Sequence, residues 1–157
     1  MPIQVEVADP RWRRLAGFNV KIRLAHEASL KKADAAQITT VLLADDKVLK
    51  ALNRQWRGKN KPTNVLSFPA APAAPPKGAP KSLGDIALSY DTLAKEAKSA
   101  GKTIADHMVH LVVHGLLHLI GHDHEDEAEA EAMEKKEIRI LAKLGIGNPY
   151  VLDSGHD

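Results

Sequence analysis

The sequence predicts an α/β fold of the α+β kind, a small mixed sheet of about four strands packed with about five helices. Three observations predict it. Four short stretches, 3–7, 39–44, 64–68 and 83–89, carry the alternation or the β-branched and apolar richness of strands. The segments between and after them repeat apolar residues at helical spacing and are bounded by capping residues and glycines. The chain is 157 residues long with 44% hydrophobic content, enough for one globular domain, 1–157, with a substantial core.

Taken in order, Ile3, Val5 and Val7 alternate with Gln4 and Glu6, the period of a half-buried strand. Asp9-Pro10 reads as a helix start, the aspartate capping and the proline in the first turn, where its missing N–H costs nothing. Residues 11–33 are expected to be mainly helical, interrupted near Gly17 and restarted at Asn19. Arg11, Arg13, Arg14, Lys21 and Arg23 fall in this segment, and a solvated helix face accounts for them better than contacts with phosphate. His26 belongs to the same surface set. After the second strand, Asp45 and Asp46 cap a short helix with Val48, Leu49 and Leu52 on its buried face. That helix delivers residues 53–57 into a polar loop, and the third strand, 64–68, is expected to be covered on both faces.

Residues 69–81 hold repeated prolines that cannot feed a sheet ladder, so an extended loop is expected before a fourth strand that pairs with the third. An alanine-rich helix over 91–100 is closed by Gly101, and Thr103 with Asp106 makes a capping-box start for the next. That next helix is apolar nearly all round over 108–120 and should run through the core. Beyond position 124, Glu125, Asp126, Glu127, Glu129 and Glu131 precede Lys135, Lys136, Arg139 and Lys143, the order a helix dipole favours. Met133, Ile140, Leu141 and Leu144 supply its packed stripe. From 145 onward an irregular tail is expected, with His156 in its disordered end.

Composition excludes several classes of function. There is no cysteine, so neither a disulfide framework nor a thiolate metal site is available. No apolar run approaches the roughly 20 residues of a membrane span, and the first ten residues lack the apolar centre of a signal peptide, so the expected location is the cytoplasm. The formal net charge of +2 permits nucleic-acid binding without arguing for it. No internal repeat and no nucleotide-binding glycine loop is present.

The chemistry is concentrated in the run His114-Gly115-Leu116-Leu117-His118-Leu119-Ile120-Gly121-His122-Asp123-His124. His114 and His118, four apart on a helix, place their Cβ atoms about 5–6 Å apart on one face. Two imidazoles so placed can converge on a zinc ion, which takes Zn–N distances of about 2.0–2.1 Å. Gly121 can adopt the left-handed turn that ends a helix, so His124 can fold back as a third nitrogen donor. Three neutral nitrogens leave the fourth tetrahedral position open, the mark of a catalytic rather than a structural zinc. A lone histidine on an apolar helix is ordinarily a hydrogen-bonded core or surface residue; three at this spacing around a helix-ending glycine are better read as one Zn²⁺ site per chain. His107, His110, His114 and His118 share one helix stripe. His110 is placed to line the cavity or to orient its neighbours, while His107 and His122 carry no ligand role; Asp123 or Glu125 could orient a ligand histidine.

The spacing His-x-x-x-His-x-x-Gly-x-x-His is that of the metzincin zinc proteases, which makes the helix zincin-like. In those enzymes a glutamate directly follows the first histidine and serves as general base. Here that position is Gly115, so the peptidase lacks its base where the motif would put it.

The histidine run, together with Trp56-Arg57-Gly58-Lys59-Asn60-Lys61-Pro62-Thr63-Asn64-Val65-Leu66-Ser67-Phe68-Pro69 and Gly84-Asp85-Ile86, resembles the bacterial YbeY family over most of the chain. The resemblance implies a single-domain, zinc-dependent, single-strand-specific endoribonuclease. It implies action in maturation of the small-subunit ribosomal RNA 3′ end and in ribosome quality control, with ribosomal RNA and the ribosome or its assembly factors as partners. It also implies His114, His118 and His124 as the metal ligands and Arg57 as the basic residue of the active cleft. Asn60 and Asn64 stand where the family commonly has aspartate, and His122 where tyrosine is frequent.

Arg57 has a physical reason to be chosen as well, since a guanidinium fork binds phosphate oxygens bidentately. Lys59 and Lys61 share its loop and are candidate substrate contacts, with loop solubility as the competing explanation. The general base is not identified by the sequence: a zinc-bound hydroxide, the ribose 2′-hydroxyl as nucleophile, and His110 or Asp123 as proton carrier are all left open. Two rival readings stand beside the nuclease: a metal-dependent peptidase, and a non-enzymatic zinc module that binds ribosomal RNA or the ribosome.

Overall fold

The computed structural model describes residues 2–70, 77–79, 81–123 and 125–151. Four strands, β1 (Ile3–Val7), β2 (Ile38–Ala44), β3 (Val65–Pro69) and β4 (Ser82–Ser89), form one mixed sheet in the order β1-β2-β4-β3. The first three neighbours are parallel, and β3 runs antiparallel to β4 on the open edge, so the expected pairing of the third and fourth strands is present. Leu66 and Ser67 point to opposite faces of β3 and both are buried, as expected for a strand covered on two sides. The extended loop expected over 69–81 lies largely outside the described residues, as does His156.

The helices are α1 (Phe18–Ser29), α2 (Lys32–Ala35), α3 (Asp46–Arg57), α4 (Tyr90–Ala100), α5 (Ile104–Leu119) and α6 (Glu127–Lys143). The count exceeds the expected five because the segment 11–33 breaks differently. Asp9 accepts from the Arg11 backbone N–H, but the turn that it caps, Pro10–Arg14, is 3-10 rather than α. Gly17, at φ +67°, separates it from α1, and an extended Leu30 separates α1 from the single turn of α2. The other caps follow local chemistry: Asp45, Thr103 and Asp126 side chains accept from the N3 backbone N–H of α3, α5 and α6.

The main core lies between one sheet face and α5, where Val41, Leu43, Ile86 and Leu88 meet Met108, Leu111, Val112, Leu116 and Leu117. A smaller cluster on the other face packs Leu49 of α3 against Ala44, Leu66 and Ala87. Among the described residues, no helix is long and apolar enough to cross a membrane.

Two surface expectations are corrected. His26 is only 5% exposed, because the inward side of α1 is the stripe Ile22, Ala25, His26 and Ser29. Arg11 is a clamp rather than a solvated charge. Its guanidinium bonds Asp9 at 2.6 Å and Asp91 at 2.7 Å and lies 4.6 Å from the centre of the Tyr90 ring, tying the 3-10 turn to the start of α4. The hydrogen bonds from Arg11 hold both carboxyls below their ordinary range.

Because those carboxyl pKa values are lowered by folding, the clamp contributes fully above the unfolded value of about 4 and is lost as pH falls through the lower folded values. Arg11→Met is therefore expected to cost about 1–2 kcal/mol at pH 7, between the limits for exposed and buried ion pairs. The difference in denaturation midpoint between variant and parent should shrink toward zero by pH 2–3; a constant difference across that range would show that the charge pair contributes nothing.

Candidate active site

The antiparallel strand β3 and the C-terminal half of α5 form two walls of an open cleft of about 900 Å³, and the loop between α3 and β3 closes the third. His114 and His118 project into it from successive turns of α5, and His122, Asp123 and Glu125 line it just past the helix end. The chain turns there because Gly121 takes φ +100°, a conformation that side chains disfavour. The Gly121 and His122 N–H groups then satisfy the last carbonyls of the helix, those of His118 and Leu117, at 3.1 and 2.9 Å. His124, the third expected ligand, lies outside the described residues.

The two histidines of α5 fit a metal. Their Nε2 atoms stand 3.1 Å apart, with the rings nearly perpendicular at 76°. Two nitrogens each about 2.05 Å from a tetrahedral zinc would stand about 3.3 Å apart, so the separation suits two ligands of one ion. The chemistry of the donor set agrees: imidazole nitrogens suit zinc better than magnesium.

The residue that orients this pair is Glu137 of α6, which the sequence reading passed over. It has no solvent exposure. One carboxylate oxygen accepts from His114 Nδ1 at 3.2 Å; the other accepts from His110 Nε2 at 2.7 Å and from the Tyr150 hydroxyl at 2.6 Å. Burial alone would raise its pKa, but the hydrogen bonds from His110, His114 and Tyr150 outweigh burial and bring it to about 2. An ionised carboxylate only accepts, so His114 carries its proton on Nδ1 and keeps Nε2 as the electron-pair donor toward the cleft. Burial holds His110 below its ordinary pKa despite the bond to Glu137. The signal for Glu137 was present in the sequence: it sits at helical spacing between Met133 and Leu141, a charge on an otherwise packed stripe.

The other histidines sort by partner. His107 bonds Glu96 at 2.9 Å, and His122 lies 3.5 Å from the Lys136 ammonium. His110, expected either to line the cavity or to orient its neighbours, borders a separate small cavity and shares a carboxylate with His114. Of the two proton carriers considered, Asp123 is on the cleft wall.

The facing wall is cationic. Arg57, Lys59 and Lys61 all line the cleft and are exposed. Arg57 is held to the edge strand by a bond from its guanidinium to the Ser67 carbonyl at 3.0 Å. The loop that carries the lysines is tied to α3 by the buried Asn53, whose amide donates to the Lys61 carbonyl at 2.9 Å and whose carbonyl accepts from the Lys59 N–H. Asn64 donates its amide to both oxygens of Glu96 at 2.9 and 3.2 Å. An aspartate at 64 would meet that carboxylate with like charge, so the asparagine suits the glutamate opposite.

Gly115 explains why no glutamate follows the first histidine. A Cβ there would lie 3.0 and 3.1 Å from two carbons of Ile86 and 3.1 Å from Ser67 Oγ. The position faces the sheet and not the cleft, and Ser67 Oγ donates to the Gly115 carbonyl at 3.3 Å. A glutamate side chain has no room on that face, so the peptidase base is absent for a packing reason.

Comparison with known proteins gives a consistent picture. The family model described as Endoribonuclease YbeY matches residues 5–145. The chain is 46% identical over 159 residues to the Endoribonuclease YbeY of Erythrobacter litoralis, covering 96% of this chain and 98% of that one. It is 58% identical over 111 residues to that of a Chelativorans species, covering 71% and 68%. A Thermotoga maritima protein known from a solution structure shares the fold, with a TM-score of 0.55 over 99% of both chains at 22% identity.

Gly115→Val should force α5 away from β3 and cost about 1–3 kcal/mol by overpacking, although valine is the better helix former. A thermal midpoint at or above that of the parent would contradict the close approach.

Proposed function

Because the chain belongs to the YbeY endoribonuclease family and is thereby a hydrolase of RNA, we propose that it is a zinc-dependent enzyme that cuts single-stranded segments of ribosomal RNA. Its place would be the cytoplasm, in maturation of the small-subunit 3′ end and in quality control of ribosomes. The observation that carries the zinc reading is the 3.1 Å approach of two imidazole nitrogens, opposite a wall that bears Arg57, Lys59 and Lys61.

His114, His118 and His124 would hold the ion. Zinc so held supplies Lewis acidity to a phosphodiester. Glu137 keeps His114 in the tautomer that presents Nε2. Arg57, fixed to the edge strand, neutralises the non-bridging phosphate oxygens as charge accumulates on them. Lys59 and Lys61 hold the flanking backbone by charge alone, so binding should weaken with salt. Asp123, on the cleft wall, would be the group that takes a proton from the attacking hydroxyl.

The direct test is incubation of the purified full chain with unstructured and hairpin RNA of equal length. Cleavage confined to the unstructured RNA, at least 100-fold slower in His114→Ala and abolished by a chelator that leaves the fold intact, is the expected result. Equal cleavage by His114→Ala would overturn it, and a chelator that unfolds the chain would favour a structural metal. Glu137→Gln should weaken zinc binding about 10- to 100-fold in competition with a chromophoric chelator. The neutral amide has one accepting oxygen and cannot serve both histidines; an unchanged affinity would remove Glu137 from the site.

A further inference from the structure

The inward stripe of α3 is longer than the core that it covers. Val48, Leu49, Leu52 and Asn53 face the sheet, and Trp56 continues the same spacing by one more turn. There it reaches the edge strand of the sheet, and Trp56 is 62% exposed. Its ring is supported on one side by Phe68 of the edge strand, centroid to centroid 6.3 Å, at a tilt of 59°. Trp12, the other tryptophan, is wholly buried.

The segment that carries this indole is basic. Between positions 47 and 64 the chain has Lys47, Lys50, Arg54, Arg57, Lys59 and Lys61 and no acidic residue. Trp56 and Arg57 are adjacent on the last turn of α3, and Arg57 lines the cleft. An exposed aromatic face in a field of cations is the pairing that binds single-stranded nucleic acid: cations track the phosphates, and the ring stacks on a base of any sequence. An acidic protein segment would be drawn by the same charge but gains little from a flat indole face.

We propose that Trp56, steadied by Phe68, is a stacking platform for one unpaired nucleobase of the RNA strand whose backbone Arg57, Lys59 and Lys61 bind. The site takes a base without reading its identity and requires that the base be free of its complement, which supplies a physical cause for single-strand preference one residue away from the arginine that lines the cleft. This inference rests on the endoribonuclease reading, and its test separates the two.

The full chain is titrated with a 2′-O-methyl oligoribonucleotide, which lacks the free 2′-hydroxyl, and with an oligomer of the same length that is abasic throughout. The base-bearing oligomer should change the emission of the exposed indole and bind more tightly than the abasic one. Trp56→Ala should weaken it about 5- to 100-fold while leaving the abasic oligomer within about twofold, and Trp56→Phe should retain most of the affinity. An unchanged melting temperature of Trp56→Ala, expected for so exposed a residue, keeps the comparison clean; Trp56→Phe serves if alanine perturbs the helix end. Equal binding of the base-bearing oligomer by parent and Trp56→Ala, with RNA still cleaved, overturns this inference alone and assigns the indole to a protein partner. Failure of both oligomers to bind overturns it together with the single-strand reading.

Discussion

Among the described residues no other carboxylate is as deeply buried as Glu137, and three side chains from two other parts of the chain converge on it. A buried charge is costly unless it is fully bonded, and here both oxygens are engaged. The arrangement fixes more than α6. It sets the tautomer of His114, ties His110 to the same anchor, and brings the segment after α6 back through the Tyr150 hydroxyl, whose pKa is raised by burial and by that carboxylate. Loss of the His114 bond would take from one oxygen of a buried charge the donor that holds it, so packing and site geometry are coupled through this carboxylate.

The second constraint is the closeness of α5 to the sheet. Gly115 lets the helix lie against Ile86 and Ser67, and the same contact places the adjoining flank of the helix, with His114 and His118, in the cleft beside β3. Arg57 bonds the carbonyl of the same Ser67 whose hydroxyl meets α5. One residue of the edge strand therefore registers the cationic wall against the histidine wall. The absence of a carboxylate base beside the first histidine and the precision of the cleft have a common steric origin.

Much of this was legible because it is local. Helix caps at Asp45, Thr103 and Asp126 follow from one side chain and a backbone N–H three residues away, and strands declare themselves by alternation. The pairing of His114 with His118 follows from helical spacing alone. What escaped is non-local or weakly patterned. Glu137 is 23 residues from His114 and meets it only after α6 folds across α5. α1 hid its inward face because that face is built of Ile22, Ala25, His26 and Ser29, while Val20 and Leu24 stay exposed, so burial of His26 left no apolar signature. The clamp at Arg11 joins residues 80 positions apart, and no local rule separates it from a solvated charge.

The proposed metal centre requires imidazole nitrogens that share one ion. Zinc K-edge X-ray absorption of the metal-loaded full chain, compared with that of His118→Ala, measures this most directly. The account predicts three imidazole nitrogens at about 2.0–2.1 Å plus one light exchangeable ligand in the parent, and one imidazole fewer in the variant. A spectrum unchanged by the substitution, or one with four protein ligands around the ion, would contradict it.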